Sequence, residues 1–269
     1  MSDHRAPAAV GSAIALSCIL AGTANAATVG GAIVPCSNGD CAYTIAVGPV
    51  GGSQTTVTTG TFNVDPISGA ISLNPVNWQS SGTSASLSLN GNSDPTLGFN
   101  FSAGTAGTAE TFSLTLSMPI SESGRIDASS SVGYTLTSLS NGGASIAPTA
   151  GHVVTAEEIS TVAGGPAPFN KGVDVGEAFG FSGGPATHNP AQPFTANDMF
   201  SLAAGNLYNL MSVTVAFSLS ANSQVGISGF VQQTPVPLPP GLLLFLSGVT
   251  GLIWRFGRKP SPIVSAPAL

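Results

Sequence analysis

The residues able to do chemistry are few, and their spacing limits what each can do. Gly180-Phe181-Ser182-Gly183-Gly184 fits the G-x-S-x-G pattern of a nucleophilic serine. That motif needs a strand before the serine, a helix after it, and then an acid and a histidine in that order. Gly184-Pro185 follows instead, and a helix does not grow comfortably from that pair. His188 is the only later histidine, with no acid between it and the serine, so the motif reads as a loop. Glu157 and Glu158 are adjacent, so on a strand their side chains point to opposite faces and cannot cooperate as general acid and base. They read as a solvated charge pair. His152 and His188 are too few and too distant for a zinc set and read as surface or turn residues. Asn90, Asn92 and Asp94 could offer oxygens to calcium from alternate positions, but the further acidic ligands are missing and an Asn-Gly turn accounts for them. Trp78, Tyr134 and Tyr208 could line a sugar platform. With only two tryptophans in the chain, core or rim positions suit these aromatics better. No catalytic residue, metal ligand or cofactor site emerges.

The elements that would position these residues are strands. Thr56–Val64, Ser84–Leu89, Thr111–Met118 and Ser212–Leu219 alternate polar with apolar residues, the period that buries one face of a sheet and wets the other. Turn-forming clusters separate them: Asp65-Pro66-Ile67-Ser68-Gly69, Asn90–Pro95 and Asn141-Gly142-Gly143. Phe62–Val64, the Asp65–Gly69 turn and Ala70–Leu73 predict a hairpin. Short strands with regular turns predict a mainly β fold, an antiparallel β-sandwich of jelly-roll-like type. Gly164–Pro193 reads as a long excursion or a minor domain boundary, and Ala196–Ala204 as one short helix. No repeat of fixed period is present. Cys36 and Cys41 bracket Ser37-Asn38-Gly39-Asp40. Asn-Gly favours a tight turn, so a disulfide clamping that turn is expected in an oxidising compartment. Two cysteines alone make a poor metal set, and the C-x-x-C redox spacing is absent.

Charged residues make up 7% of the chain, against roughly 25% in soluble domains. Of six basic residues only Arg125 and Lys171 fall in the central body, which holds eleven acids. Such a body has no electrostatic footprint for nucleic acid.

The two ends read differently from the body. Residues 1–26 have the form of a secretory signal, with His4 and Arg5, an apolar Val10–Ala21, and Ala24-Asn25-Ala26 supplying small residues at −3 and −1. Cleavage is expected between Ala26 and Ala27. Cys18 does not make a lipobox, because Leu16 occupies the wrong position. The ectodomain would be 27–234, 208 residues once the ends are removed, enough for one large β domain or two small ones. Residues 235–259 run from Pro235 through LLLFLSGVTGLIW to Arg255-Phe256-Gly257-Arg258-Lys259, with 260–269 as a cytoplasmic extension. The prolines mark a helix start, and residues 238–256 give a short transmembrane helix whose flanking Arg255, Arg258 and Lys259 stay cytoplasmic.

Val236-Pro237-Leu238-Pro239, the Leu242–Leu246 run, Ser247-Gly248, Gly251 and the basic finish resemble the PEP-CTERM sorting signal in its Val-Pro-Leu-Pro variant. The resemblance covers about 24 of 269 residues and is confined to the tail. It departs from the family at Leu238, which stands in place of glutamate, at the Phe256-Gly257 interruption of the basic cluster, and in the ten-residue extension. The resemblance implies recognition by an exosortase, a membrane cysteine protease or transpeptidase, in a bacterium with an exopolysaccharide system. The expected function is therefore a non-catalytic exported envelope or matrix protein associated with exopolysaccharide. The alternative is a secreted β-sandwich that binds or degrades polysaccharide.

Overall fold

The structure, a computed structural model, describes Cys36 and residues 41–236 apart from 93–95, 121–124, 162 and 202–207. The segment expected to be a signal peptide, its expected Ala26/Ala27 cleavage point, Asp94 and the tail from Pro237 through Leu238, Pro239, Arg255, Arg258 and Lys259 lie outside the described residues. The chain divides between Pro235 and Val236, and all its named strands belong to the first unit.

The alternating runs become strands of two antiparallel sheets. The first sheet holds β1 (Ala42–Pro49), β2 (Thr55–Thr61), β8 (Glu110–Pro119), β10 (Ala144–Pro148), β11 (Val154–Ile159), β12 (Phe169–Asn170), β13 (Phe179–Phe181) and β16 (Leu210–Leu219). Its main order is β12-β11-β16-β8-β1-β2, with β10 also on β16 and β13 on β10. The second holds β5 (Val76–Ser80), β6 (Thr83–Asn92), β7 (Thr96–Thr105), β9 (Arg125–Ser138), β14 (Ala186–His188), β15 (Phe194–Ser201) and β17 (Ser223–Pro235). Its order is β14-β9-β17-β7-β6-β5, and β15 extends the same edge of β9. The hairpin pairs β3 (Asn63–Val64) with β4 (Ile71–Ser72).

One continuous core lies between the sheets, as in a β-sandwich. The inward positions of β8 are Phe112, Leu114, Leu116 and Met118, and those of β16 are Met211, Val213, Val215, Phe217 and Leu219, all fully buried. From the other sheet Phe99, Phe101, Val225, Ile227 and Val231 meet them. Each side chain of this size contributes about 1.5–3 kcal/mol on burial. The Asp65 turn is closed locally. The carboxylate Oδ1 accepts the N–H groups of Ser68 and Ile67 at 2.7 and 2.8 Å, and Gly69 takes a left-handed φ of 72°. Those backbone donors, Ser68 first, hold the Asp65 carboxyl below its usual range.

Two expectations are revised and a third is narrowed. The segment expected to be helical from Ala196 is β15, laddered on β9 from Phe194↔Val132 to Ser201↔Arg125. Phe194, Ala196, Asp198 and Phe200 alternate inward, and Asp198 in that set hides the period of two. Glu158 is not half of a solvated pair: Glu157 is exposed, but Glu158 is fully buried. Of the two readings of Gly164–Pro193, the structure has the long excursion and not the domain boundary. The segment carries β12 and β13 on the first sheet and β14 on the second, passing along the edges of both. The sulfurs of Cys36 and Cys41 stand at disulfide distance, with Cα atoms 5.4 Å apart, as the turn reading requires. So small a loop limits the stabilisation to under about 3 kcal/mol.

Candidate functional site: a polar sheet face and a buried triad

The outward face of the second sheet is built from the polar half of each alternation. Strand register sets its residues in ranks. Asn77, Ser86, Ser102, Gly226 and Thr135 lie side by side across β5, β6, β7, β17 and β9. Asn90, Gly98, Phe230, Ser131 and Thr195 form another rank, shifted one strand over. With strands about 4.8 Å apart, each rank spans about 20 Å. Hydroxyls bond across strands, as in Ser86–Ser102 at 2.6 Å and Thr137–Thr187 at 2.9 Å.

Glycines make the face uneven. Gly98, Gly133 and Gly226 occupy outward positions where a side chain would otherwise rise, and they line shallow depressions. One, of about 470 Å³, is rimmed by Asn90, Thr96, Asn100, Ser131, Ser228 and Gln232, with Phe230 supplying apolar surface. The neighbouring depressions are lined by Asn77, Ser86, Ser88, Ser102 and Gln79, and by Thr135, Asn189 and Gln192. None of these four depressions is lined by a charged side chain. Amides and hydroxyls donate and accept hydrogen bonds but do not titrate near neutral pH, so these depressions offer uncharged donors and acceptors. The opposite sheet has a plainer outward face, with Thr59, Thr44, Thr115, Thr214 and Thr155 in one rank.

The residues singled out from sequence do not converge. Ser182 is exposed in the loop after β13, with β14 and no helix following. The ring of His188 packs 4.2 Å from that of Phe181, and Nδ1 of His152 lies 3.7 Å from Glu177. Asn90 and Asn92 sit on the second sheet, where Nδ2 of Asn92 donates to the Ser68 carbonyl at 3.3 Å. Trp78 packs half-buried against the core, and the Tyr208 hydroxyl reaches the Ala167 carbonyl at 3.5 Å. Among the described residues no three His, Cys, Asp or Glu side chains gather as a metal set, and no helix is long and apolar enough to cross a membrane.

Tyr134 is buried, its ring 5.2 Å from that of Phe194. Burial first, and the charge of Glu177 second, push its phenol well above the usual tyrosine range. The unfolded chain ionises this phenol near pH 10 while the folded chain keeps the proton. The associated stability is therefore present below about pH 10 and is lost as pH rises beyond it. Alkaline titration should show Tyr134 tyrosinate absorbance appearing only with unfolding. A Tyr134→Phe chain whose alkaline stability falls just as steeply would refute this.

A second constellation is internal. Glu158 on β11 points into the core, where its Oε1 lies 3.1 Å from Nζ of Lys171 and accepts Nε2–H of Gln233 on β17 at 2.6 Å. All three side chains are buried to within 1%. The loop after β12 delivers the lysine. Asn170 Oδ1 accepts the Gly172 N–H at 2.7 Å, Asn170 Nδ2 donates to Asp174, and Asp174 Oδ1 accepts the Ala156 N–H. Ser130 Oγ, from the other sheet, donates to the Val173 carbonyl. In the sequence Lys171 registers only as one of two body cations. The signal it does carry is that of a single lysine in a body otherwise almost free of positive charge. Gln233 carries none.

No protein-family model matches the chain, and no curated protein sequence matches it.

Proposed function

We propose that this chain is an exported, non-catalytic envelope or matrix protein that associates with neutral exopolysaccharide through the outward face of its second sheet. The observation that carries the reading is that face: five strands of Ser, Thr, Asn and Gln, with glycine-lined depressions that no charged side chain lines. Sugars offer the matching chemistry of neutral hydroxyls around apolar ring faces. Each hydrogen bond contributes only about 0.5–1.5 kcal/mol net, so affinity would come from many contacts along a polymer. We read the sandwich as jelly-roll-like because β7, β8, β9 and β10 alternate between the two sheets.

The export half of the proposal rests on the ends of the sequence. Residues 1–26 act as a signal cut between Ala26 and Ala27, and residues 238–256 act as a short transmembrane helix. Arg255, Arg258 and Lys259 keep its far end cytoplasmic until an exosortase-like enzyme processes the tail at Val236-Pro237-Leu238-Pro239. N-terminal sequencing of envelope protein should begin at Ala27, and a retained Met1 would reject the signal.

Binding is tested by co-sedimentation of residues 27–236 with a neutral and an anionic polysaccharide. Retention on the neutral polymer should be unchanged between low and about 0.5 M salt, because no charge is being screened. Asn100→Ala with Ser228→Ala should weaken it several-fold. Absence of retention would end the proposal, as would retention abolished by salt. Turnover of polysaccharide, ester or peptide that is lost on Ser182→Ala would replace it with an enzyme.

A further inference from the structure

The buried triad juxtaposes an amine, a carboxylate and a primary amide away from water. We propose that it is a self-modification site, at which Nζ of Lys171 displaces the side-chain nitrogen of Gln233 as ammonia, leaving an amide cross-link between the two sheets. The inference does not depend on the polysaccharide reading.

The geometry assigns each group a part. A single oxygen, Oε1 of Glu158, contacts both the nitrogen that would attack and the nitrogen that would leave. The two nitrogens are therefore no farther apart than those two contacts combined. Oε1 first takes a proton from the Lys171 ammonium, and the neutral amine attacks Cδ of Gln233. The resulting tetrahedral centre loses its Cδ–Nε2 bond. Two protons pass in turn from Nζ through Glu158 to Nε2, which departs as ammonium, and Glu158 ends as the carboxylate it was. One C–N bond forms and one breaks, and nothing is oxidised or reduced.

Burial supplies what this exchange lacks in water. An ion pair removed from solvent loses the hydration that keeps both partners charged, and fixed neighbours react as if at about 10⁵–10⁸ M. With all three side chains buried to within 1%, hydrolysis does not compete with the amine. Two atoms of the set, Oε2 of Glu158 and Oε1 of Gln233, are buried with no hydrogen-bond partner among the described residues. Such unsatisfied atoms are uncommon in folded proteins and call for an explanation. A protonated Glu158 hydrogen-bonded to the new amide carbonyl would satisfy one such acceptor during the exchange.

Three features separate this set from an ordinary buried ion pair. The third member is a primary amide, the one neutral side-chain class with a leaving nitrogen. It shares the carboxylate oxygen with the amine. It also comes from the other sheet, so that the new bond would tie β17 to the loop beside β11.

The test uses the full chain, purified folded, then denatured, reduced and digested with chymotrypsin for peptide mass spectrometry. The expected product is a branched peptide joining the Lys171 and Gln233 segments, lighter than the two linear peptides together by one ammonia. Trypsin should correspondingly fail to cut after Lys171. Recovery of both linear peptides, with an unmodified Lys171 amine and an intact Gln233 amide, would overturn the proposal, and that result requires no variant to fold. Glu158→Gln, checked for a β-sheet circular-dichroism signal, should abolish the branched peptide, and its persistence at full yield would remove Glu158 from the mechanism. If that variant lacks the signal, Glu158→Asp should form the bond more slowly, and an unchanged rate would count equally against the role.

Discussion

Replacing Phe217 by alanine is expected to lower the free energy of unfolding by about 3–5 kcal/mol. Phe217 is fully buried at the centre of the core. It stacks on Phe112 of the adjacent strand, with ring centres 5.5 Å apart and planes at 20°, and meets Phe101 of the opposite sheet edge-on at 6.0 Å and 68°. Each aromatic contact of this kind adds about 0.5–1.5 kcal/mol beyond the area buried. Because the three rings come from both sheets, the cavity left by alanine cannot close without moving one sheet against the other. A domain with a total stability of about 5–15 kcal/mol would lose a large part of it. Urea denaturation should show a much lower midpoint with an unchanged slope. Phe230→Ala, on the outward face, should stay within about 0.5 kcal/mol. A Phe217→Ala chain within about 1 kcal/mol of the original would mean that the sheets do not meet through these rings.

The second large effect is expected at Gly176, where alanine should destabilise by about 2–5 kcal/mol. Its φ is 97°, in a region where a Cβ is strained by about 1–2 kcal/mol. The added carbon would also stand 2.2 Å from the Tyr134 hydroxyl and 2.9 Å from Cβ of Val153, an overpacking of about 1–3 kcal/mol. The carbonyl of Gly176 accepts the Val153 N–H at 3.0 Å, so the backbone is not free to retreat. Tyr134→Phe removes the nearest atom, and that hydroxyl has no hydrogen-bond partner among the described residues. Tyr134→Phe alone should therefore be nearly neutral, and in the double variant it should recover at least about 0.5 kcal/mol of the Gly176→Ala loss. Strict additivity would show that the Tyr134 hydroxyl is not what the methyl group meets.

The alternation of Ser84–Leu89, Thr111–Met118 and Ser212–Leu219 is enough by itself to tell which side chains of β6, β8 and β16 are buried. The Asp65 hairpin is equally plain in the sequence, because its turn chemistry is local. Neighbourhood across the sheets is not legible there. The ranks of the second sheet depend on β17 lying between β7 and β9, strands far from it in sequence, so the outward serines and asparagines can be seen as polar but not as one surface. Glu158 is hidden for the same reason. A buried carboxylate is recognisable only through its partners, and these lie 13 residues away at Lys171 and 75 away at Gln233. Asp198 misleads in the opposite sense, by placing a charge at an inward position of β15 and so disguising a strand as a helix.

The position of β17 has a mechanical consequence. This strand of 13 residues is hydrogen-bonded along nearly its whole length to β9 on one side and over ten residues to β7 on the other, and it is the last strand before Val236. A pull applied to the chain beyond Pro235 enters along the axis of an interior strand. It must shear two ladders at once, whereas an edge strand such as β2 or β5 would peel away one bond at a time. The sandwich is thus strongest in the direction from which a C-terminal tether would load it, and single-molecule stretching should find it far more resistant when held by that end than when pulled apart across β5.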